Sequence, residues 1–273
     1  MGGGDRIECG RALGGYEDKS RSKGSGAYAE YIEPMLRDWI EGLKAATPGQ
    51  CAVCHAWPAQ PVCEACVVRF AQPQPRCLSC ALVVPAGVAQ CGRCLRQPPP
   101  LDRCFAAVQY GYPWAGLVTQ FKFQGQPGWG GSLATLMRSA PWVEPALDEA
   151  DVVVPMPLSR ERLAERGFNQ ALVLARALAP GKVNSGLLLR VRHTPAQAEL
   201  GLAARLRNVQ GAFAVDPLRT ADVCGRRIVV VDDVMTSGAS LYAAALELRQ
   251  AGAAQITAVV LARTEEPNEA ARQ

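Results

Sequence analysis

Ile228-Val229-Val230-Val231-Asp232-Asp233-Val234-Met235-Thr236-Ser237-Gly238-Ala239-Ser240 is the stretch that decides the fold of this 273-residue chain. Ile228 to Val231 set four β-branched apolar side chains in a row, as in a buried strand of a parallel sheet. Two carboxylates follow at once, where open α/β sheets bind ligands beyond the carboxyl ends of their strands. From Ser240 onward, Leu241, Ala244, Ala245 and Leu248 recur at helical spacing, and Gly252 offers a stop. A helix start leaves amide N–H groups free at the positive end of the dipole, so an anion binds there readily. Thr236, Ser237 and Ser240 add hydroxyl donors, and Gly238 lets the backbone approach a ligand closely. The unit is therefore suited to a sugar phosphate, with ribose hydroxyls on Asp232 and Asp233 and phosphate on the loop. The plainer reading, a strand whose acids cap a turn, accounts for one acid but not for the whole pattern.

The same thirteen residues, including Val234, Met235 and Ala239, resemble the phosphoribosyl-diphosphate (PRPP) motif of type I phosphoribosyltransferases. The main rival phosphate cradle is a Walker loop. No G-x-x-x-x-G-K-[ST] occurs, which argues against a nucleoside triphosphatase.

Four C-x-x-C pairs precede this region: Cys51/Cys54, Cys63/Cys66, Cys77/Cys80 and Cys91/Cys94. Each knuckle presents two thiolates from one tight turn, so four knuckles make two tetrahedral Cys₄ zinc sites. Chain order groups Cys51, Cys54, Cys63 and Cys66 in one site and Cys77, Cys80, Cys91 and Cys94 in the other; interleaved pairing stays open. Disulfides do not suit a chain that reads as a cytoplasmic protein without a cleavable signal peptide. Paired knuckles also favour structural zinc over an iron–sulfur cluster. Both sites are expected to be closed, with the metal supplying folding energy that so small a segment lacks. His55 reads as a neighbour of the site or a surface residue. Cys9, Cys104 and Cys224 carry no assignment, and Cys104 reads as a small core residue.

Hydrophobic residues make up 49% of the chain, enough for a core, but no apolar run reaches the length of a membrane helix. The net charge of +4 does not by itself imply nucleic acid. Between Arg160 and Arg207, nine Lys/Arg stand against three Asp/Glu, an excess that suits a substrate with several phosphates. Residues 1–48 read as a flexible leader plus one amphipathic helix, carried by Ile32, Met35, Leu36, Trp39, Ile40 and Leu43. Residues 49–97 form the double zinc ribbon. Gln97-Pro98-Pro99-Pro100 reads as a stiff linker. Residues 101–266 alternate short apolar strands with helices, the pattern of an α/β layer fold.

Three further segments carry chemistry. Asp151-Val152-Val153-Val154-Pro155-Met156-Pro157-Leu158 is a buried strand whose prolines fix a tight loop at its end. Arg160, Arg162 and Arg166 follow; arginines near a strand end can clamp diphosphate oxygens bidentately, and Arg166 is the best placed. A charged exposed helix would carry the same Arg/Glu mixture. The segment from Arg190 through Arg192, His193, Thr194, Pro195 and Gln197 reads as a loop that closes over substrate; a lone loop histidine is no catalytic base. In Phe121-Lys122-Phe123, Lys122 either neutralises a diphosphate or is a surface lysine.

In this order the pieces resemble the ComF/GntX family of competence-related proteins, in which a double zinc ribbon precedes a type I phosphoribosyltransferase-like domain. The landmarks are the Cys pairs, Phe-Lys-Phe around Lys122, Val154-Pro155-Met156-Pro157, Arg166-Gly167-Phe168-Asn169-Gln170, Arg190, Arg192, Thr194 and Gln197. Arg205, Asn208, Gly211, Phe213 and the Asp232–Ser240 motif complete them. The first 48 residues have no counterpart, so Gly2 to Gly4 suggest a flexible leader or a mis-set start. The loop Thr236-Ser237-Gly238-Ala239-Ser240 keeps the hydroxyls of the commoner Thr-Thr-Gly-Ala-Thr. The resemblance implies a parallel sheet flanked by helices, PRPP as ligand with Mg²⁺, and two structural zinc ions. It makes Asp232, Asp233 and Lys122 the candidate catalytic residues. Met156, Pro157, Arg166, Arg192 and Val234 to Ser240 become further PRPP contacts. It also implies support of DNA uptake in natural transformation, on the cytoplasmic side. Single-stranded DNA, through the zinc module, and other competence proteins are the expected partners. The alternative is an active transferase on a base or amine, outside DNA uptake.

Overall fold

The computed structural model describes residues 49–192 and 209–265. The leader, the helix read around Trp39, and His193, Thr194, Gln197, Arg205 and Asn208 lie outside the described residues. The chain divides into two compact units, Met1–Val68 and Arg69–Gln273.

In the first unit, Gly49 bridges Ala59, Cys51, Cys54, Cys63 and Cys66 converge, and helix α1 (Glu64–Phe70) begins. The second unit opens with the other four knuckle cysteines and the short helix α2 (Gly92–Arg96). Then come β1 (Arg103–Gln109), α3 (Trp114–Phe123), α4 (Trp129–Ser139), α5 (Val143–Glu149) and β2 (Val152–Pro155). After α6 (Arg160–Arg166) and α7 (Gln170–Leu178) the chain makes β3 (Leu188–Arg190) and β4 (Phe213–Val215). A 3₁₀ turn over Pro217–Asp222 leads to β5 (Arg227–Met235), α8 (Ala239–Gln250) and β6 (Gln255–Arg263).

Four strands form a parallel sheet in the order β1-β6-β5-β2, while β3 and β4 pair as an antiparallel ribbon. The expected α/β architecture is present. β6 is buried from Ile256 to Arg263, as a central parallel strand covered on both faces must be. Leu241, Ala244, Ala245 and Leu248 form the buried face of α8, as their spacing requires. Ala171, Leu174, Ala175 and Leu178 do the same for α7, which packs on β2 and β5.

Two features differ from the sequence reading. β5 runs four residues past Val231, through both acids to Met235, because β6 continues beside it: Asp232 pairs with Val260, and Met235 with Arg263. The neighbouring β2 stops at Pro155, opposite Val231, and the Met156 amide makes the last bond to β5, at the Val231 carbonyl. The acids therefore stand on a strand still held on one side and open on the other. Second, Pro98, Pro99 and Pro100 do not span between units. They lie within the second unit, lining with Tyr242, Ala243 and Leu246 of α8 a cavity of about 560 Å³. The second cysteine tetrad belongs to the same core as the sheet: Cys77, Cys80, Ala81 and Cys94 share one cluster with Leu101, Val230, Met235 and Leu241.

Candidate functional site

The open edge past β2 is where the chemistry collects. Asp232, Asp233, Lys122, Met156, Pro157 and Arg166 line one cavity of about 500 Å³. A second hollow of about 50 Å³ is formed by Asp232 and the loop from Val234 to Leu241. Asp232, Val234, Thr236 and Ser240 border both. The larger space is the size of a small-molecule site, and the smaller has the size of a single anionic group beside a helix start.

Neighbours along a strand normally point to opposite faces, yet at this open edge both acids line the same cavity. Asp233 is 6% exposed, and its Oδ1 accepts from the amide of Val234 at 2.6 Å and from Lys122 Nζ at 2.9 Å. Lys122 reaches it from the last turn of α3. The structure thus brings to the acidic pair a lysine that the sequence left between ligand and surface. Asp232 is half-buried and accepts from the amide of Asp233 at 2.9 Å. Burial, then the negative charge of Asp233, pushes the Asp232 carboxyl up to about 7, against the pull of Lys122.

The loop between β5 and α8 owes its shape to Gly238, whose φ of 83° lies in the left-handed region. A Cβ there would meet Met235 Cε at 2.5 Å and the Tyr242 ring at 2.6 Å, so a side chain is excluded by space as well as by φ. α8 starts at Ala239, one residue before the first hydroxyl-bearing helical position; Gly238 offers no capping side chain, and the Ala239 amide donates to Ser237 Oγ at 3.4 Å. The next amides, of Ser240 and Leu241, are donors of the kind a helix start leaves for a phosphate.

Opposite the loop, α6 is bracketed by Ser159, whose Oγ accepts from the Arg162 amide, and by Gly167 at φ 77°. Asn169 then caps α7 through Oδ1 and donates from Nδ2 to the carbonyl of Met156 at 3.0 Å. One side chain therefore fixes the Met156–Pro157 loop against the helix behind it. Arg166 Nη1 donates to Gln170 Oε1 at 3.1 Å, and its guanidinium lies 5.0 Å from the Phe123 ring centre. Its Nε, and Gln170 Nε2, are buried without a hydrogen-bond partner among the described residues. Orphaned donors beside a polar cavity suit an anionic ligand.

Two residues that sequence reasoning ranked low or passed over also face the cavity: Arg162 and Arg190. Arg162 lies one helical turn before Arg166, and that i, i+4 spacing is the signal that finds it. Arg190 stacks on Phe213, 5.3 Å from the ring centre, a partner across the β3–β4 ribbon that no local pattern reveals. Arg192 is not brought into the cavity; its Nη2 donates to the carbonyl of Gln210 at 2.5 Å. It lies two residues past the end of β3, beyond the last pair of the ribbon that aims Arg190.

The cysteines gather in two tetrads in chain order, with the four sulfurs of each within 4.8 Å of one another. Cys51–Cys66 and Cys54–Cys63 Sγ separations are 3.8 and 3.6 Å, and Cys80–Cys91 is 3.7 Å. A tetrahedral zinc with ~2.3 Å Zn–S bonds sets its sulfurs about 3.8 Å apart. Backbone amides of Cys63 and Cys91 donate to Cys51 Sγ and Cys77 Sγ at 3.4 and 3.3 Å, bonds that favour thiolates. The donor sets fit zinc. His55 and Ala81 occupy the same place, directly after the second cysteine of a knuckle, with φ of 62° and 57°. His55 points outward, which accounts for it without a ligand role. Glycine takes this conformation without strain, so His55→Gly is expected to stabilise the first unit by about 1 kcal/mol, read as a higher concentration of chelator needed to melt it. Cys104 is 2% exposed, and burial pushes its thiol up to about 12, as befits an inert core residue.

Among the described residues, no helix is long and apolar enough to cross a membrane. The phosphoribosyl transferase domain family matches residues 163–272. The chain is 32% identical over 226 residues to DNA utilization protein YhgH of Salmonella typhimurium, covering 80% of this chain and 98% of that protein. It is 32% identical to competence protein F of Haemophilus influenzae, covering 69% and 85% of the two. Competence protein ComFC of Bacillus subtilis matches at 34% identity, over 43% of this chain and 46% of that one. The chain belongs to the ComF-type family of DNA utilization protein YhgH and competence protein F, and its C-terminal part is a phosphoribosyl transferase domain.

Proposed function

We propose that the protein binds PRPP at the Asp232–Asp233 edge and serves DNA utilization of the kind its relatives are named for. The observation that carries this reading is the pair of adjoining hollows: a small one walled by the loop and the start of α8, and a larger one with two acids, Lys122 and three arginines. The 5-phosphate would sit on Thr236 to Ser240. The ribose hydroxyls would donate to Asp232 and Asp233, and the diphosphate would face Arg162, Arg166, Arg190 and the Met156–Pro157 loop. Mg²⁺, a hard cation, would be held by diphosphate and ribose oxygens and supply charge neutralisation. In a transfer reaction the C1–O bond to diphosphate breaks, the ring gathers positive charge and the leaving group negative charge. With PRPP so bound, the acids would lie beside the ring and the arginines beside the leaving group, which is the order such a reaction needs.

Isothermal titration of the full chain with PRPP and Mg²⁺ tests the site; absence of heat at millimolar ligand sinks it. Arg166→Ala is expected to weaken binding ~10–100-fold through loss of charge-assisted bonds to diphosphate. Arg166→Lys should recover only part of that, since an ammonium cannot form the bidentate pair.

Turnover on a base or amine acceptor has one observation in its favour: the Phe123 ring, 60% exposed and backed by Arg166, offers a stacking face at the cavity wall. Diphosphate release on adding an acceptor would establish it. For DNA, Arg69 and Arg96 of the zinc-bearing segment are exposed, whereas Arg76 and Arg93 are half-buried and Arg76 is tied to the carbonyl of Ala81 at 2.9 Å. Single-stranded DNA contact through this segment then rests on few phosphates, and its affinity should fall only shallowly with salt. The proposed zinc ions are structural, and the proposed place of action is the cytoplasm.

A further inference from the structure

Arg263, the last residue of β6, is fully buried, and among the described residues no carboxylate pairs with it. A guanidinium taken out of water without a counter-charge is costly; Nε and Nη1 find acceptors, while Nη2 is buried with no hydrogen-bond partner among the described residues. Here the acceptors are main-chain carbonyls from two separate places. Nε donates to the carbonyl of Cys80, in the second cysteine tetrad, at 2.8 Å. Nη1 donates to the carbonyls of Met235 at 3.2 Å and of Thr236, at the entrance of the phosphate loop. It also reaches its own neighbour Thr264 at 2.8 Å.

The geometry has a simple origin. β5 and β6 stay paired up to Met235 and Arg263, the Thr264 amide makes the last rung to the Met235 carbonyl at 3.1 Å, and the carbonyl of Thr236 lies beyond it. Arg263 adds a side-chain donor to the Met235 carbonyl and supplies one to that of Thr236, where the ladder has ended. Two more contacts hold the same junction: the amide of Cys104 donates to the carbonyl of Leu78 at 2.7 Å, and Cys104 Sγ lies 3.6 Å from Met235 Sδ. The knuckle from Cys77 to Cys80 thus rests on the ends of the strands that carry the loop.

We propose that Arg263 is a positioning residue through which the second cysteine tetrad, when it holds its metal, sets the backbone of the phosphate loop. The proposal rests on the reading of Thr236 to Ser240 as a phosphate cradle, but its first test needs no ligand. A rigid knuckle holds the Cys80 carbonyl still; the planar guanidinium, with donors in a fixed fork, transfers that position to Met235 and Thr236. Loss of metal frees the knuckle and removes one anchor of the fork.

Hydrogen exchange of the metal-loaded full chain, read by mass spectrometry, is the test. Chelator strong enough to empty the second tetrad should speed exchange at amides 235–241 by ~10-fold or more, while the middle of β5 and β6 stays protected. In Arg263→Lys, which keeps a buried cation but not the fork, the loop should exchange fast even with metal bound, and chelator should add little. If metal removal leaves the wild-type loop unchanged, or if Arg263→Lys leaves the loop as protected and as chelator-sensitive as wild type, the link does not exist. PRPP titration of the same samples separates the two readings. Loop deprotection with no PRPP heat in any sample keeps the link and removes the ligand, whereas equal PRPP affinity in wild type and Arg263→Lys overturns the link alone.

Discussion

Asp232→Asn should cost the protein its PRPP affinity and yet make the unliganded fold more stable at pH 8, whereas Asp233→Asn should lose both. Each carboxylate is expected to accept ribose hydroxyls, so either change should weaken PRPP by ~100-fold or more. Their effects on stability part because their partners differ. Asp233 holds Lys122 at 2.9 Å in a nearly closed setting; its amide would leave a half-buried ammonium without a carboxylate, at a cost of about 1–3 kcal/mol. Asp232 has the opposite character, since burial and Asp233 push its carboxyl up to about 7. The sign follows from linkage. The folded state holds this proton more tightly than the unfolded chain does, so stability falls as pH rises from about 4 to about 7. Asn carries no charge at any of these values and keeps an oxygen for the Asp233 amide. The gain in Tm of Asp232→Asn over wild type should therefore be near zero at pH 4 and grow to about 1–2 kcal/mol equivalent above pH 7. PRPP affinity of the wild type should run the other way, strengthening as pH rises through 7 and the carboxylate becomes available. Melting curves across pH decide it: a Tm difference that does not change with pH would mean that Asp232 does not hold its proton in the folded state.

The acidic pair was legible in sequence because its signal is local: a β-branched run, then acids, then small hydroxylated residues. The tetrads were legible for the same reason, since a C-x-x-C knuckle is one turn of chain. The structure adds what depends on neighbours distant in sequence. That β5 would carry the acids within the strand depends on β6 running beside it to Arg263. That Arg190 rather than Arg192 faces the cavity depends on the pairing of β3 with β4. Lys122 was recognisable as a candidate, but only the packing of α3 brings it to Asp233. Asn169 was visible as part of a motif, yet its job is a tertiary hydrogen bond to Met156. The grouping of the two tetrads as one module also hid a difference: one lies in each compact unit.

That difference should show as unequal dependence on metal. The proposed zinc at either site contributes ~10–16 kcal/mol of apparent binding energy, as much as the whole stability of a typical domain. In the second tetrad the ligands are also core: Cys77 and Cys80 are fully buried and Cys94 is 2% exposed, in one cluster with the strand and helix that carry the acids. Emptying it leaves thiols with no metal inside that core, and frees the knuckle on which Cys104 and Arg263 rest. Cys94→Ser is therefore expected to abolish the cooperative melting of the phosphoribosyl transferase domain, or to lower its Tm by tens of degrees. Cys66→Ser removes a ligand of equal chemistry from the other unit and should leave that transition within a few degrees of wild type, with only one zinc per chain. Zinc content measured beside calorimetry separates the outcomes. Equal loss of the main transition in both variants would show that the two sites support one cooperative fold. An unchanged transition in Cys94→Ser would show that the core holds without its metal, and the coupling through Arg263 would then have nothing to transmit.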